Sequence, residues 1–253
     1  MGTTPPVWKE QRLVESHEID MFGALRPHVL FGFLLNSAWN LARGTSFGYQ
    51  RLSEKRLMWV LSKLQLEIHR PPAWDEQITI ETWGKRIERF FALRDFIVWS
   101  AGGEKLASAT SAWMILNKES YRPQKPDAIM EDFPWQPAKS EMETSLKKLP
   151  ELEGGTDRAE FDVHFSDIDV NSHVTATKYL QWLLDSYPFD HYAQRRLAKA
   201  EISFVAEAVM GDHVTVRVAD TSGGDILAVR RGSDGKDLCR AVIAWRDRGA
   251  GTE

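Results

Sequence analysis

The sequence predicts an α+β fold in which two similar halves each wrap an antiparallel sheet around one helix. The prediction depends on internal repetition, on one stretch of helical spacing per half, and on the strand-like runs that follow each helix. The 253 residues have room for two domains of ordinary size, and 43% apolar residues are enough for a core in each.

The repetition appears as three matches that occur in the same order along the two halves. Such ordered matches indicate a duplication, here with shorter loops in the second copy. The aligned pairs are 18–35 with 167–184, 61–68 with 197–204, and 106–113 with 238–245.

A helix is predicted near the start of each half because apolar residues recur at a spacing of three and four. Pro27 suits the first turn of the first helix, where its missing N–H would have no partner in any case. The spaced positions are Leu30, Phe33, Leu34, Ala38 and Leu41, and then Tyr179, Leu180, Leu183 and Leu184.

Runs of alternating or β-branched residues after each helix predict strands, and glycines at 101–104 and 232–235 predict hairpin turns. A proline-rich segment, 121–156, is predicted to be a connector over the surface between domains at 1–120 and 157–253. The predicted strands are 77–83, 90–100, 106–116, 214–219, 227–231 and 238–246.

The composition limits the classes of function. The net charge of −4 gives no attraction to nucleic acid or to anionic membranes, and Cys239, the single cysteine, excludes an internal disulfide and a multi-cysteine metal site. Neither a signal peptide nor an apolar run of membrane-spanning length is present, so we expect a soluble cytoplasmic protein without a membrane span. Ten Trp and twelve Phe fit large buried surfaces or an apolar ligand cavity.

Three polar residues, Asp169, Asn171 and His173, alternate just before the second predicted helix. The unpaired N–H groups of a helix start suit a developing oxyanion, and the three side chains can position water or a proton. Simple helix capping by Asp169 or Asn171 is the alternative. Capping does not explain why the first copy carries Phe22 and Ala24 in place of Asn171 and His173, so we favour a catalytic site.

Glu207 is the second candidate acid, at the end of a strand and within the apolar run 204–210. A carboxylate among apolar neighbours is costly unless it is paired or used. Its counterpart in the first half is Pro71, so this acid also belongs only to the second copy. An exposed strand residue is the plainer alternative.

Three other motifs are weaker. The segment from Asp167 opens like a calcium loop but has Ser172 and Lys178 where Gly and Glu are required. Ser46 matches a nucleophile-elbow pattern, but a predicted helix precedes it instead of a strand. Cys239 lies within a predicted strand and is interpreted as a packing residue.

The chain resembles the acyl-acyl carrier protein thioesterases of plants and bacteria, which have a tandem hotdog fold. The resemblance covers most of the chain and implies an active site of Asp169, Asn171, His173 and Glu207. The plant enzymes carry a Cys directly after the glutamate, where this chain has Ala208. The motifs that carry the resemblance are 71–75, 93–95, 111–113, 117–120, 167–174, 179–182 and the strand that ends at Glu207.

The resemblance implies hydrolysis of a fatty acyl thioester on acyl carrier protein (ACP), with no metal or organic cofactor. Glu207 and Asn171 would orient water, His173 would move the proton, and Asp169 would fix His173 or the adjacent backbone. Attack by a carboxylate through an anhydride stays open, as do an acyl-CoA thioesterase, a hotdog dehydratase or hydratase, and a non-catalytic acyl-thioester sensor. The oligomeric state also stays open, a homodimer included.

Two further sets of residues are predicted, one to bind the acyl chain and one to bind the carrier protein. The first half should hold the acyl chain, on a helix that exposes Phe31, Phe33, Leu34 and Trp39. Carrier proteins are acidic, so a basic patch is expected near the mouth of the active site. The best local candidates for it are Arg195, Arg196 and Lys199.

Overall fold

The computed structural model describes residues 6–131, 133–143, 145–221 and 224–248. The chain divides into two compact units, Met1–Leu146 and Lys147–Glu253. Each unit contains one main helix and one antiparallel sheet, as the sequence predicts.

The sheet of the first unit has the order β1-β3-β4-β5-β2, with the short β6 beside β5. Every neighbouring pair is antiparallel. The elements are β1 (Trp8–Leu13), α1 (Pro27–Ala42), α2 (Tyr49–Glu54), β2 (Leu57–Ile68), β3 (Gln77–Glu88), β4 (Phe91–Ser100), β5 (Lys105–Asn117) and β6 (Pro123–Gln124).

The sheet of the second unit has the order β8-β11-β10-β9-β7, again antiparallel throughout. When it is listed from its other end, β7-β9-β10-β11-β8, this order corresponds strand for strand to β1-β3-β4-β5-β2 of the first unit. The elements are β7 (Thr156–Asp162), α3 (Ala176–Asp185), α4 (Phe189–Gln194), β8 (Arg195–Phe204), β9 (His213–Thr221), β10 (Gly224–Arg231) and β11 (Asp237–Asp247).

Each main helix buries the face that the apolar spacing marks. Pro27 occupies the first turn of α1, and both predicted glycine turns form hairpins, between β4 and β5 and between β10 and β11. The helices α2 and α4 were not predicted, because each is six residues long and too short to show a clear period. The buried helical residues are Leu30, Phe31, Phe33, Leu34, Ser37, Ala38 and Leu41 on α1, and Tyr179, Leu180, Trp182, Leu183 and Leu184 on α3.

The proline-rich segment is more than a connector over the surface, because it supplies core residues to the first unit. Met130 and Phe133 are buried and pack in one cluster with Leu41 of α1. Gly84 of β3 leaves room for this packing, since a Cβ atom there would lie 2.1 Å from the Phe133 ring. The fully buried Lys85 also donates a hydrogen bond to the carbonyl of Met142.

Within the described residues, no helix is both long enough and apolar enough to cross a membrane.

Candidate active site

The turn Asp169–His173 is closed by backbone hydrogen bonds. The N–H of Asp169 donates to the carbonyl of His173 at 2.7 Å, and the N–H of Ser172 donates to the carbonyl of Asp169 at 3.0 Å. Ser172 adopts a left-handed backbone with φ of +65°. The turn leads into α3, which starts at Ala176.

The carboxylate of Asp169 organises this turn. Its Oδ1 accepts hydrogen bonds from the N–H groups of Asn171 at 2.7 Å and His173 at 3.3 Å. The capping interpretation is wrong, because the N-cap residue of α3 is Thr175 and no side chain caps the helix. Asp169 therefore holds the backbone that presents Asn171 and His173.

His173 and Glu207 form the central pair of the site. Nε2 of His173 lies 3.1 Å from Oε2 of Glu207, and the two side chains are 19% and 33% exposed. A half-buried pair in this geometry can share a proton and remain open to a small reactant. Glu207 lies three residues past the end of β8, whereas the sequence predicted it at the end of the strand.

Asn171 completes the polar set. Its Oδ1 is buried and accepts no hydrogen bond from any residue within the described ranges. A buried acceptor without a partner is costly in a native structure, so it calls for an explanation such as a functional role. The structure thus places Asn171 in the same turn as His173, whose side chain contacts Glu207.

The first unit repeats this loop without its chemistry. Oδ1 of Asp20 accepts from the N–H groups of Phe22 at 2.9 Å and Ala24 at 3.0 Å, as Asp169 does in the second unit. In both units the residue after this turn donates to the loop that follows β2 or β8: Leu25 to Pro72 at 2.8 Å, and Val174 to Ala208 at 2.9 Å. These hydrogen bonds show that Pro72 and Ala208 occupy equivalent positions in the two units, which supports the alignment of Pro71 with Glu207.

An apolar groove lies in the first unit, between the end of α1 and the sheet. It encloses about 530 Å³, part of which is open to solvent. The tryptophans that line it come from four separate segments, which the sequence could not bring together. Its lining is Ala38, Trp39, Ala42, Phe47, Tyr49, Trp59, Gly84, Ala92, Leu93, Arg94, Trp113, Met130 and Trp135.

Only Trp39 among the four predicted acyl-binding residues lines this groove. The prediction that α1 exposes Phe31, Phe33 and Leu34 is wrong, because these side chains are at most 5% exposed and belong to the core. The helical spacing identified them as one apolar face, but it could not separate packing positions from lining positions.

Among the described residues that line the groove, Arg94 is the one that carries a charge, and its position was not predicted. Its Nη1 donates to Oγ1 of Thr82 at 3.2 Å, and the side chain is buried. Burial lowers the pKa of Arg94 to about 10.

The predicted basic residues lie away from the catalytic pair. Arg195 and Arg196 begin β8, and Arg195 pairs with Asp247 at 3.6 Å. Glu207 follows the other end of that strand, and a strand of this length spans roughly 30 Å. Arg195 and Arg196 therefore begin the strand whose other end leads to Glu207, and Arg195 and Lys199 are exposed.

The weaker nucleophile candidates are also placed outside the site. Cys239 is fully buried in β11, and burial raises the pKa of its thiol. Oγ of Ser46 donates to the carbonyl of Ile129 at 3.1 Å, in a turn that follows α1.

Comparison with solved structures assigns the class, a double hotdog. An acyl-ACP thioesterase from Bacteroides thetaiotaomicron superposes with a TM-score of 0.85 at 27% identity, covering 95% of this chain and 98% of that one. A 12:0-ACP thioesterase from Umbellularia californica superposes with a TM-score of 0.84 at 22% identity, covering 98% and 100%. At that lower identity the second likeness shows the fold alone.

Sequence comparison assigns the family. The model of the acyl-ACP thioesterase N-terminal domain matches residues 5–133, and that of the C-terminal domain matches 152–247. The chain belongs to the acyl-ACP thioesterase family and is a thiolester hydrolase. The oleoyl-acyl carrier protein thioesterase 1, chloroplastic, of Arabidopsis thaliana is 26% identical over an alignment of 279 positions. The alignment covers 95% of this chain and 76% of that protein.

Proposed function

We propose that the second unit hydrolyses fatty acyl-ACP by direct attack of water, with Glu207 and His173 as the proton-transfer pair. The observation that carries the proposal is the 3.1 Å contact between Nε2 of His173 and Oε2 of Glu207. The first unit has Ala24 and Pro71 at the corresponding positions. One site per chain follows from this difference.

Each polar residue has a defined task in this mechanism. Glu207 and the buried Oδ1 of Asn171 each accept one hydrogen bond from the attacking water. The proton that the water loses passes to Glu207 and on to Nε2 of His173, which delivers it to the leaving thiolate. Asp169 keeps the turn that presents both side chains. Backbone N–H groups near the start of α3 stabilise the oxyanion.

A thiol mechanism has no support in this chain. Ala208 follows Glu207, and the thiol of Cys239 is fully buried. Attack by the Glu207 carboxylate through an anhydride is the competing path. A single turnover in ¹⁸O-labelled water tests for this path: direct attack labels only the fatty acid, whereas label in Glu207 would require an anhydride that water opens at the Glu207 carbonyl.

We further propose that the groove of the first unit receives the acyl chain. Four tryptophans and three alanines in its lining offer an apolar surface, and the small side chains of Ala38 and Ala42 leave space beside α1. Arg94 is the polar exception and would contact either the chain or a polar group near it.

The carrier is proposed to be ACP in preference to CoA, on the strength of the family. Arg195, Arg196 and Lys199 remain the proposed docking residues, since a flexible prosthetic arm separates the thioester from the surface of the carrier protein. Reversing Arg195 and Arg196 to Glu should raise KM for acyl-ACP and leave KM for acyl-CoA unchanged. An equal KM for acyl-ACP in the variant and the parent would exclude this patch.

Thiol release from acyl-ACP and acyl-CoA substrates of graded length tests the assignment as a whole. We expect faster release from acyl-ACP, and acyl binding without thiol release would instead identify a sensor. The compartment is proposed to be the cytoplasm, although the plant relatives are described as chloroplastic. A homodimer also remains a proposal, to be tested by light scattering.

A further inference from the structure

One peptide group in the second unit is held at both of its polar atoms by side chains. It joins Glu207 to Ala208. Its carbonyl oxygen accepts a hydrogen bond from Nη2 of Arg231, and its N–H donates to the hydroxyl oxygen of Tyr179 at 2.9 Å. The two side chains come from β10 and α3, so the backbone beside Glu207 is fixed from two elements.

Both side chains are themselves well anchored. Arg231 pairs with Asp212 at 3.1 Å and with Asp234 at 3.0 Å. Tyr179 is 3% exposed, and burial, followed by the charges of nearby groups that include Glu207, raises the pKa of its hydroxyl. The phenol therefore stays neutral and remains able to accept the N–H of Ala208.

The first unit shows that the fold does not need the tyrosine contact. Leu30 stands at the position of Tyr179, and Pro72, which has no N–H, stands at the position of Ala208. The donor and the acceptor are thus both absent from the unit that lacks Glu207. The hydrogen bond from an arginine to the carbonyl is kept in the first unit, where Arg70 donates to the carbonyl of Pro71 at 3.5 Å.

We propose that Tyr179 is a positioning residue for catalysis, and that its hydrogen bond to Ala208 sets the carboxylate of Glu207 against His173. This inference rests on the proposed role of Glu207. Tyr179 acts through the backbone and does not touch the substrate. A shift of about 1 Å in a reacting group can cost about 100-fold in rate, so one backbone bond next to the base is enough to matter.

The first test is Tyr179→Phe, which removes only the hydroxyl. We expect kcat on acyl-ACP to fall by about 10- to 100-fold with KM unchanged. Tyr187→Phe is the matched control, because it removes a hydroxyl in the same unit that binds Asp225 at 2.7 Å, and its kcat should stay at the parent value. A Tyr179→Phe enzyme with the parent kcat would overturn the proposal.

The second test separates positioning from simple stability. The double variant Tyr179→Phe/Ala208→Pro keeps the aromatic ring that packs on Trp182 and Phe204, and it leaves no buried N–H without a partner. We expect its unfolding midpoint to exceed that of Tyr179→Phe while kcat stays low. Recovery of the parent kcat in this double variant would show that the bond serves stability alone and would overturn the proposal.

Glu207→Gln, measured beside these variants, distinguishes the two levels of inference. An inactive Glu207→Gln enzyme with a fully active Tyr179→Phe enzyme overturns the role of Tyr179 alone. A fully active Glu207→Gln enzyme overturns the role of Glu207 and, with it, that of Tyr179.

Discussion

At the scale of single residues, Ser172 is strained where its counterpart is not. Ser172 has φ of +65°, and Gly23 takes the same place in the first unit with φ of +72°. A left-handed backbone costs a residue with a Cβ atom roughly 1–2 kcal/mol, partly offset by the greater freedom of glycine in the unfolded chain.

Ser172→Gly should therefore raise the free energy of unfolding by about 0.5–1 kcal/mol, and Gly23→Ser should lower it by a similar amount. Urea titration of both variants measures the change. If Ser172→Gly is less stable than the parent, the serine side chain makes a contribution that outweighs the strain.

Cys239 is the second residue with a clear expectation. It is fully buried near the start of β11, so it has no access to a thioester. Cys239→Ala should leave kcat unchanged and lower the free energy of unfolding by about 1 kcal/mol, the usual size for a small buried change. A folded but inactive Cys239→Ala enzyme would reinstate a thiol mechanism.

At the scale of elements, the end of α1 should set the length of the acyl chain. Ala42 lines the groove, so Ala42→Leu fills space that a chain would occupy. Each buried methylene contributes about 0.8 kcal/mol, and we expect the preferred product to shorten by one or two methylene pairs. Asn36→Leu introduces a leucine at an exposed position of the same helix and should leave the product profile unchanged.

Product analysis by gas chromatography checks this prediction. The same product lengths from Ala42→Leu as from the parent would place the acyl chain elsewhere.

The elements also show what sequence patterns can and cannot reveal. Most long strands and both main helices follow from their periods, because a half-buried strand alternates between core and solvent and a half-buried helix buries one face. The long strand β2 was not among the predicted strands, and its burial does not alternate regularly. The groove could not be predicted, since Trp39, Trp59, Trp113 and Trp135 meet only after the sheet has formed. Likewise, the spacing of Phe31, Phe33 and Leu34 could not show that these side chains are sealed in the core.

At the scale of the whole molecule, the duplication allows a catalytic unit to be compared with a unit of the same fold that lacks the catalytic residues. The turn at Asp20 keeps the hydrogen bonds of the turn at Asp169, so the repeated scaffold does not depend on catalysis. The catalytic candidates were visible in the sequence because two copies could be compared. Tyr179 was interpreted only as a helix core position, because a hydroxyl that binds a backbone N–H leaves no periodic signal.

The turnover number of Glu207→Gln and His173→Ala on a fatty acyl-ACP, compared with that of Asp20→Asn, tests the central claim most directly. The first two variants should lose about 10²–10⁴-fold, the usual contribution of a positioned acid or base. Asp20→Asn should keep the parent turnover, because its Oδ1 can still accept from Phe22 and Ala24. Full turnover in Glu207→Gln or His173→Ala, or an inactive but folded Asp20→Asn enzyme, would contradict a single catalytic site in the second unit.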